Sequence, residues 1–200
     1  MTNKEKTEIT RKKVIISAIE MFEEKGYEGF IVNEFCRRYN FSKGRLYHNF
    51  SGKDDIYIEA VKYCFSEIID YLKKAKEITD VQTYMEIRMK FFLENRKYEK
   101  LFFEVITKPP ANLLREITEI QADLWDFNRK IFSKIISKVN LRKDLTEENM
   151  LDYFELIQEV FNRHFTMLSK DINDFETLGK LHKEKVEKLI DCILHGITEH

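Results

Sequence analysis

The 200-residue sequence is poor in the residues that make tight turns, with only 6 glycines and 2 prolines. Strand-rich folds need many such turns, so this scarcity predicts an all-α fold of long helices. The 3 cysteines, Cys36, Cys64 and Cys192, lie far apart along the chain. Their spacing fits neither a disulfide framework nor a zinc site, so we predict a reducing, cytoplasmic setting and no bound metal.

The sequence also lacks the motifs of common catalytic sites. It has no glycine-rich phosphate loop, no nucleophile motif and no paired histidines at metal-binding spacing, and its 5 histidines are scattered. No apolar run approaches the roughly 18 residues of a membrane helix. We therefore predict that the protein is not an enzyme and has no catalytic residue, no cofactor and no membrane partner.

Charge is distributed unevenly, although the net charge is only −1. Residues 1–53 carry 11 Lys and Arg against 7 Asp and Glu, a net charge of +4, and the remainder carries a net charge of −5. A basic N-terminal part followed by an acidic body favours binding of a polyanion at the N-terminal end.

Apolar residues at three- and four-residue spacing predict the first helices. One apolar stripe stops at Gly26, and a second, very short one covers Val32 to Tyr39. Asn40 follows at a place where a left-handed residue would turn the chain. Ser42 can then cap another short helix, which ends near Phe50.

A long helix is predicted from Lys53, because Ser51 and Asp54 resemble a capping box. Pro109-Pro110 breaks the middle segments, and three further helices are predicted at about 113–139, 147–169 and 175–197. The total is about nine helices. We predict a small N-terminal domain of residues 8–53, with a helix-turn-helix at about 31–50, and a larger helical domain of residues 54–200.

The short helix from Ser42 to Phe50 has two distinct faces. Leu46 and Phe50 are four residues apart and are expected to pack inward. Gly44 costs about 1 kcal/mol in a helix relative to alanine. A glycine at this place is easier to understand if another backbone, such as that of DNA, must come close.

The other residues of this helix supply hydrogen-bond donors. Lys43, Arg45, Tyr47 and His48 all suit phosphates or base edges. The next helix, which starts near Lys53, offers an N-terminal dipole and a positive side chain, again suited to phosphate.

The segment GYEGFIVNEFCRRYNFSKGRLYHNFSGKDDIYIEAV resembles the N-terminal signature of the TetR family of transcriptional repressors. The strongest part of the resemblance is residues 42–50 followed by Lys53, and it extends over about residues 10–60. Two departures stand out. Phe30-Ile31 occupies the place where threonine commonly caps the next helix, and Asn40 replaces a usual glycine. Because asparagine tolerates the left-handed conformation, we expect the turn to survive.

The resemblance implies a repressor that binds a palindromic double-stranded operator as a homodimer and is released by a small molecule. By position, Lys43, Gly44 and Arg45 would meet the major groove. Tyr47, His48 and Lys53 would hold phosphates. Ser42 would cap the short helix that follows it. One of Arg37 and Arg38 would lie near a phosphate, and we name Arg37.

The C-terminal part is expected to supply the dimer interface and the effector pocket. Wide apolar stripes predict a dimer through the last two helices, with Phe154, Ile157, Phe161, Val186, Leu189, Ile193 and Ile197 at the interface. Many aromatics in the middle helices suit a hydrophobic or aromatic effector, for which we name Gln121, Trp125, Gln158 and Phe161. The alternative function is a helical dimeric interaction module without specific DNA binding.

Overall fold

The computed structural model describes residues 2–75 and 77–168, together with nine helical positions further along. These nine are Thr177, Lys180, Leu181, Glu184, Lys185, Lys188, Leu189, Asp191 and Cys192. Within the described residues the regular structure consists of eight α-helices and one 3-10 turn. They are α1 (Asn3–Gly29), α2 (Val32–Arg38), α3 (Lys43–Asn49), α4 (Lys53–Lys74), α5 (Val81–Glu94), α6 (Arg96–Thr107), the 3-10 turn (Ala111–Leu113), α7 (Leu114–Ile136) and α8 (Glu147–Leu168).

The all-α prediction is confirmed, and the helix boundaries follow the predicted signals closely. α6 ends at Thr107, just before Pro109-Pro110. Gly26 interrupts α1 with φ 67° and ψ 177°, a conformation open essentially only to glycine. The predicted ninth helix, at about 175–197, lies largely outside the described residues.

The chain divides into two compact units. The first comprises Met1–Asp70 and Phe92–Leu124, and the second comprises Tyr71–Phe91 and Trp125–His200. The first unit is larger than the predicted N-terminal domain, because it also contains most of α4, all of α6 and the start of α7. The predicted domain boundary after residue 53 stays a prediction.

The core of the first unit holds the two shortest helices in place. Ile19 and Phe22 of α1, Phe35 of α2, Leu46 of α3 and Phe50 are almost completely buried. α2 and α3 have seven residues each, fewer than the roughly 12–15 that an isolated helix needs. Their stability therefore comes from this shared core.

The second unit has its own aromatic core. Phe132 of α7 stacks on Phe154 of α8 with ring centroids 5.2 Å apart, and Tyr84 of α5 meets the Phe132 ring edge-on. The Tyr84 hydroxyl donates a 2.8 Å hydrogen bond to the buried Asn128 Oδ1. The sequence predicts Phe154 at a dimer interface, whereas the structure leaves it only 8% exposed. Phe154 is therefore a core residue of its own unit.

Among the described helices, none is both long and apolar enough to cross a membrane.

Candidate DNA-binding surface

The surface is built on two short helices joined by a tight turn. α2 ends at Arg38, and Asn40 takes a left-handed conformation with φ 55°. Behind the turn, the Phe41 N–H donates to the Cys36 carbonyl at 2.9 Å. The prediction that Asn40 preserves the turn is confirmed.

The start of α2 lacks a side-chain cap, as the missing threonine predicts. Ile31 is the N-cap residue and forms no side-chain capping hydrogen bond. Phe30 is buried and stacks on Phe22 with ring centroids 4.3 Å apart. Aromatic packing beside the N-terminus of α2 therefore takes over part of the anchoring that a hydroxyl cap would give.

Ser42 and two apolar residues fix α3. The Ser42 hydroxyl accepts a hydrogen bond from the Arg45 N–H at 3.4 Å, which caps the helix. Leu46 and Phe50 are 1% and 2% exposed, so the predicted inward face is confirmed.

The opposite face of α3 is open to solvent. Lys43, Gly44, Arg45, Tyr47 and His48 are all exposed, Tyr47 at 53%. Among the described residues, none of these side chains has an ion-pair partner. We name these five residues the outward face of α3. Its side chains present hydrogen-bond donors for which the described part of the chain holds no acceptor.

Gly44 has no internal reason to be a glycine. A Cβ built on it would meet nothing within 4 Å, and its φ is not positive. Neither crowding nor backbone conformation within the chain therefore requires glycine at this position. Gly44 therefore has no explanation within the described part of the chain.

The two adjacent arginines at the end of α2 differ in their surroundings. Arg38 forms an ion pair with Glu24 and lies 5.4 Å from the centroid of the Tyr39 ring. Arg37 is exposed, and no described carboxylate pairs with it. Arg37 is thus the arginine whose charge is available to a phosphate.

Arg11 of α1 anchors the C-terminal end of α3, a role that the sequence did not predict. One guanidinium nitrogen donates to the Asn49 carbonyl at 2.7 Å, and the group lies 4.6 Å from the centroid of the Phe50 ring. Another nitrogen pairs with Glu59 of α4 at 2.7 Å. Arg11 stands before the first apolar stripe, and no local pattern marks it.

The start of α4 differs from the predicted capping box by one residue. The Ser51 N–H donates to the Asp55 carboxylate at 2.9 Å, and not to the predicted Asp54. The reason is that α4 begins at Lys53 with Gly52 before it, which makes Asp55 the third helical residue. The Asp54 carboxylate therefore does not cap α4 and can bind other side chains.

Tyr27, at the end of α1, contacts both Asp54 and Lys53. Its hydroxyl donates to Asp54 Oδ1 at 2.6 Å, and the Lys53 ammonium lies 3.9 Å from its ring centroid. Burial, and next the hydrogen bond to Asp54, raise the pKa of Tyr27, so its hydroxyl stays protonated and can donate. The Lys53 side chain, at the N-terminus of α4, is thereby held against the Tyr27 ring.

Residues 15–60 match the family described as bacterial regulatory proteins, tetR family. This segment contains α2, the turn, α3 and the start of α4. By this match, the N-terminal part of the chain is similar to the DNA-binding segment of TetR-family regulators. Over 191 residues the chain is 25% identical to the biofilm operon icaADBC HTH-type negative transcriptional regulator IcaR of Staphylococcus epidermidis, covering 91% of this chain and 97% of that relative.

Solved structures of the TetR type share the fold over nearly the whole chain. FadR from Bacillus subtilis, in complex with stearoyl-CoA, has a TM-score of 0.65 at 15% identity, covering 92% of this chain and 98% of that one. A TetR-family regulator from Agrobacterium tumefaciens has a TM-score of 0.62 at 14% identity, covering 91% and 98%. At these identities the matches establish the fold.

The predicted effector residues do not form one described pocket. Gln121 lies in the first unit and donates to the Val105 carbonyl at 3.4 Å. Trp125 lies in the second unit, beside a cavity of about 10 Å³ that it lines with Asn128 and Phe132. That volume suits about one water molecule. The side chains of Gln158 and Phe161 lie outside the described residues.

The predicted dimer residues are only partly described. Ile157 and Leu189 are half-buried. The side chain of Phe161 lies outside the described part, as do Val186, Ile193 and Ile197. A different apolar stripe is open on α8: Tyr153, Leu156 and Val160 are 49%, 56% and 59% exposed. Leu156 and Val160 follow Tyr153 by three and seven residues, so the three side chains share one face of the helix. This exposed face is displaced by one sequence position from the predicted stripe that contains Phe154.

Proposed function

We propose that this chain is a DNA-binding transcriptional repressor that uses the outward face of α3, together with Arg37 and Lys53, on double-stranded operator DNA. The observation that carries the proposal is the set of exposed donors on α3, which have no partners among the described residues. A seven-residue helix seated on a buried core can enter a major groove, where such donors meet bases and phosphates. Such a repressor would act on DNA in the cytoplasm.

The contacts divide into two kinds. Lys43, Gly44 and Arg45 lie at the N-terminal end of α3, the end that meets base edges in helix-turn-helix complexes. Tyr47, His48 and Lys53 would bind phosphates, which set position and affinity and carry no sequence information directly. Kinship with a relative named a negative transcriptional regulator supports repression as the outcome.

A homodimer on a palindromic operator is part of this proposal. One seven-residue helix reads few base pairs, and a two-fold pair places two such helices about 34–36 Å apart, one turn of DNA. The open α8 stripe of Tyr153, Leu156 and Val160 supports pairing through the C-terminal helices. A contiguous exposed apolar face of this kind marks an interaction site.

A small-molecule effector would release the DNA by binding one arrangement of the protein better than another. A groove of about 300 Å³ between α4 and α7, within the first unit, offers a place for it. Its lining combines apolar and charged side chains: Ile58, Phe65, Ile69, Ile120, Lys62, Ser66, Glu116, Glu119 and Asp123. This volume is at the lower end for ligand sites, and the apolar lining supports a hydrophobic effector.

The direct test of DNA binding is titration of the purified protein on the DNA upstream of its own gene at two salt concentrations. We expect specific binding that weakens at high salt through counterion release. A folded dimer that binds no upstream fragment even at low salt would leave the alternative, a helical interaction module.

Two substitutions locate the surface. Tyr47→Ala should weaken binding roughly tenfold or more, because a hydrogen bond to a charged group is lost, while the dimer stays folded. Lys43→Ala should also weaken it. Lys143→Ala removes the same charge from an exposed position in the second unit and should bind as the unchanged protein does. Normal binding by Tyr47→Ala would show that the DNA lies on another face.

A further inference from the structure

Asn112 joins the end of α1 to the start of α4. It belongs to the 3-10 turn between α6 and α7, 85 residues from Tyr27 and 58 from Asp54 along the chain. Its Nδ2 donates to the Tyr27 hydroxyl oxygen at 3.0 Å and to Asp54 Oδ2 at 3.1 Å. One amide group therefore contacts both partners of the Tyr27–Asp54 hydrogen bond.

The turn that carries Asn112 is held firmly. Pro110 and Leu113, on either side of it, are buried, and the Leu113 N–H donates to the Pro110 carbonyl at 3.0 Å. Proline also restricts its own φ. The side chain of Asn112 thus projects from a fixed backbone, so its two hydrogen bonds can hold other groups in position.

The two groups that Asn112 contacts are neighbours of Lys53. The Tyr27 ring lies under the Lys53 ammonium, and Asp54 is the next residue of α4. With its oxygens engaged by Tyr27 and Asn112, the Asp54 carboxylate is kept at the Tyr27 hydroxyl. Without Asn112, one Asp54 oxygen loses its donor and the Tyr27 side chain loses one of its two hydroxyl partners.

We propose that Asn112 is a positioning residue for DNA binding, which fixes Tyr27 and Asp54 so that Lys53 points its ammonium at a phosphate. The inference rests on the proposed function, because Lys53 has a phosphate to meet only if the chain binds DNA. In this proposal Asn112 acts through Tyr27 and Asp54 and not through a DNA contact of its own. Its place in the α6–α7 connection makes one contact of the DNA-binding surface depend on a segment far outside the helix-turn-helix.

The test is the salt dependence of operator binding for Lys53→Ala, Asn112→Ala and the double variant. Each phosphate contact contributes about 0.9 to the slope of log K against log salt. Lys53→Ala should therefore reduce the slope by about 0.9, which is roughly a 3.5-fold smaller loss of affinity between 50 and 200 mM salt. Asn112→Ala should reduce it by a similar amount, and the double variant should go little further, because both changes remove one contact.

Controls separate positioning from general destabilisation. Asn149→Ala removes an exposed asparagine that bonds locally at the start of α8, and should leave the slope unchanged. Asn112→Asp keeps the size but sets a carboxylate against Asp54, so it should reduce the slope as well, which keeps the test available if Asn112→Ala unfolds. An unchanged slope in the folded Asn112 variants, or additive effects with Lys53→Ala, overturns the inference. Failure of the unchanged protein to bind overturns the proposed function first.

Discussion

Replacing Gly44 by alanine should make the free protein more stable and its complex with DNA weaker. In the free chain, the new methyl group meets no atom within 4 Å. Alanine is favoured over glycine in a helix by up to about 1 kcal/mol. For a chain of 200 residues, this corresponds to a rise in Tm of about 2–4 °C at most.

On DNA the same methyl group stands where a phosphate backbone or base edge would approach. Extra volume in a well-packed contact costs about 1–3 kcal/mol, so operator affinity should fall about 5- to 150-fold. Fluorescence anisotropy with labelled operator measures the affinity, and calorimetry measures Tm. The variant supplies its own control for folding, because a protein with a higher Tm has not lost binding by unfolding. Equal or tighter binding by Gly44→Ala would refute the close approach.

Three other expectations follow from the first unit and its groove. Gly26→Ala should lower Tm by about 4–8 °C, since about 2 kcal/mol of backbone strain arises at φ 67°, whereas Gly52→Ala, in open space, should stay within about 2 °C. Burial raises the pKa of Glu104 above its ordinary 4.5, although Tyr27 and Tyr57 donate hydrogen bonds to its carboxylate. The native state then binds more protons than the unfolded state, so the free energy of unfolding should fall as pH rises from about 4.5 through the raised pKa. Glu104→Gln should flatten this part of the profile of stability against pH. The groove is lined by three carboxylates and one lysine, so neutral or cationic apolar compounds should release operator at lower concentrations than anionic compounds of similar size. Fluorescence anisotropy with labelled operator measures the release, and stronger release by the anionic compounds would contradict the charge argument.

Local patterns in the sequence predicted the helix-turn-helix well, because its determinants are close neighbours. Leu46 and Phe50 are four residues apart, Ser42 caps the helix that it precedes, and Asn40 turns the chain where glycine usually does. Each of these features depends on helical periodicity or on the conformational range of one residue. Such features are visible in a single sequence.

The supports of that surface could not be predicted in the same way. Arg11 acts on Asn49, 38 residues away, and Asn112 acts on Tyr27, 85 residues away. Nothing in the local sequence distinguishes these polar residues from solvated ones. On α8, the sequence could not show which of two neighbouring apolar stripes is buried. Phe154 lies on one stripe and Leu156 on the other, and the packing of the second unit buries Phe154 and leaves Leu156 exposed.

The structure separates the residues that would read DNA from those that hold them in place. The outward face of α3 has no ion-pair partners among the described residues, so substitutions there can change the preferred operator at little cost in stability. Arg11, by contrast, binds the end of α3 and also Glu59 of α4. Its loss should disturb both helices and weaken binding to every operator alike. Comparing Arg11→Ala with Arg45→Ala on a set of operator sequences would distinguish the two roles, since only Arg45→Ala should alter the ranking of sequences.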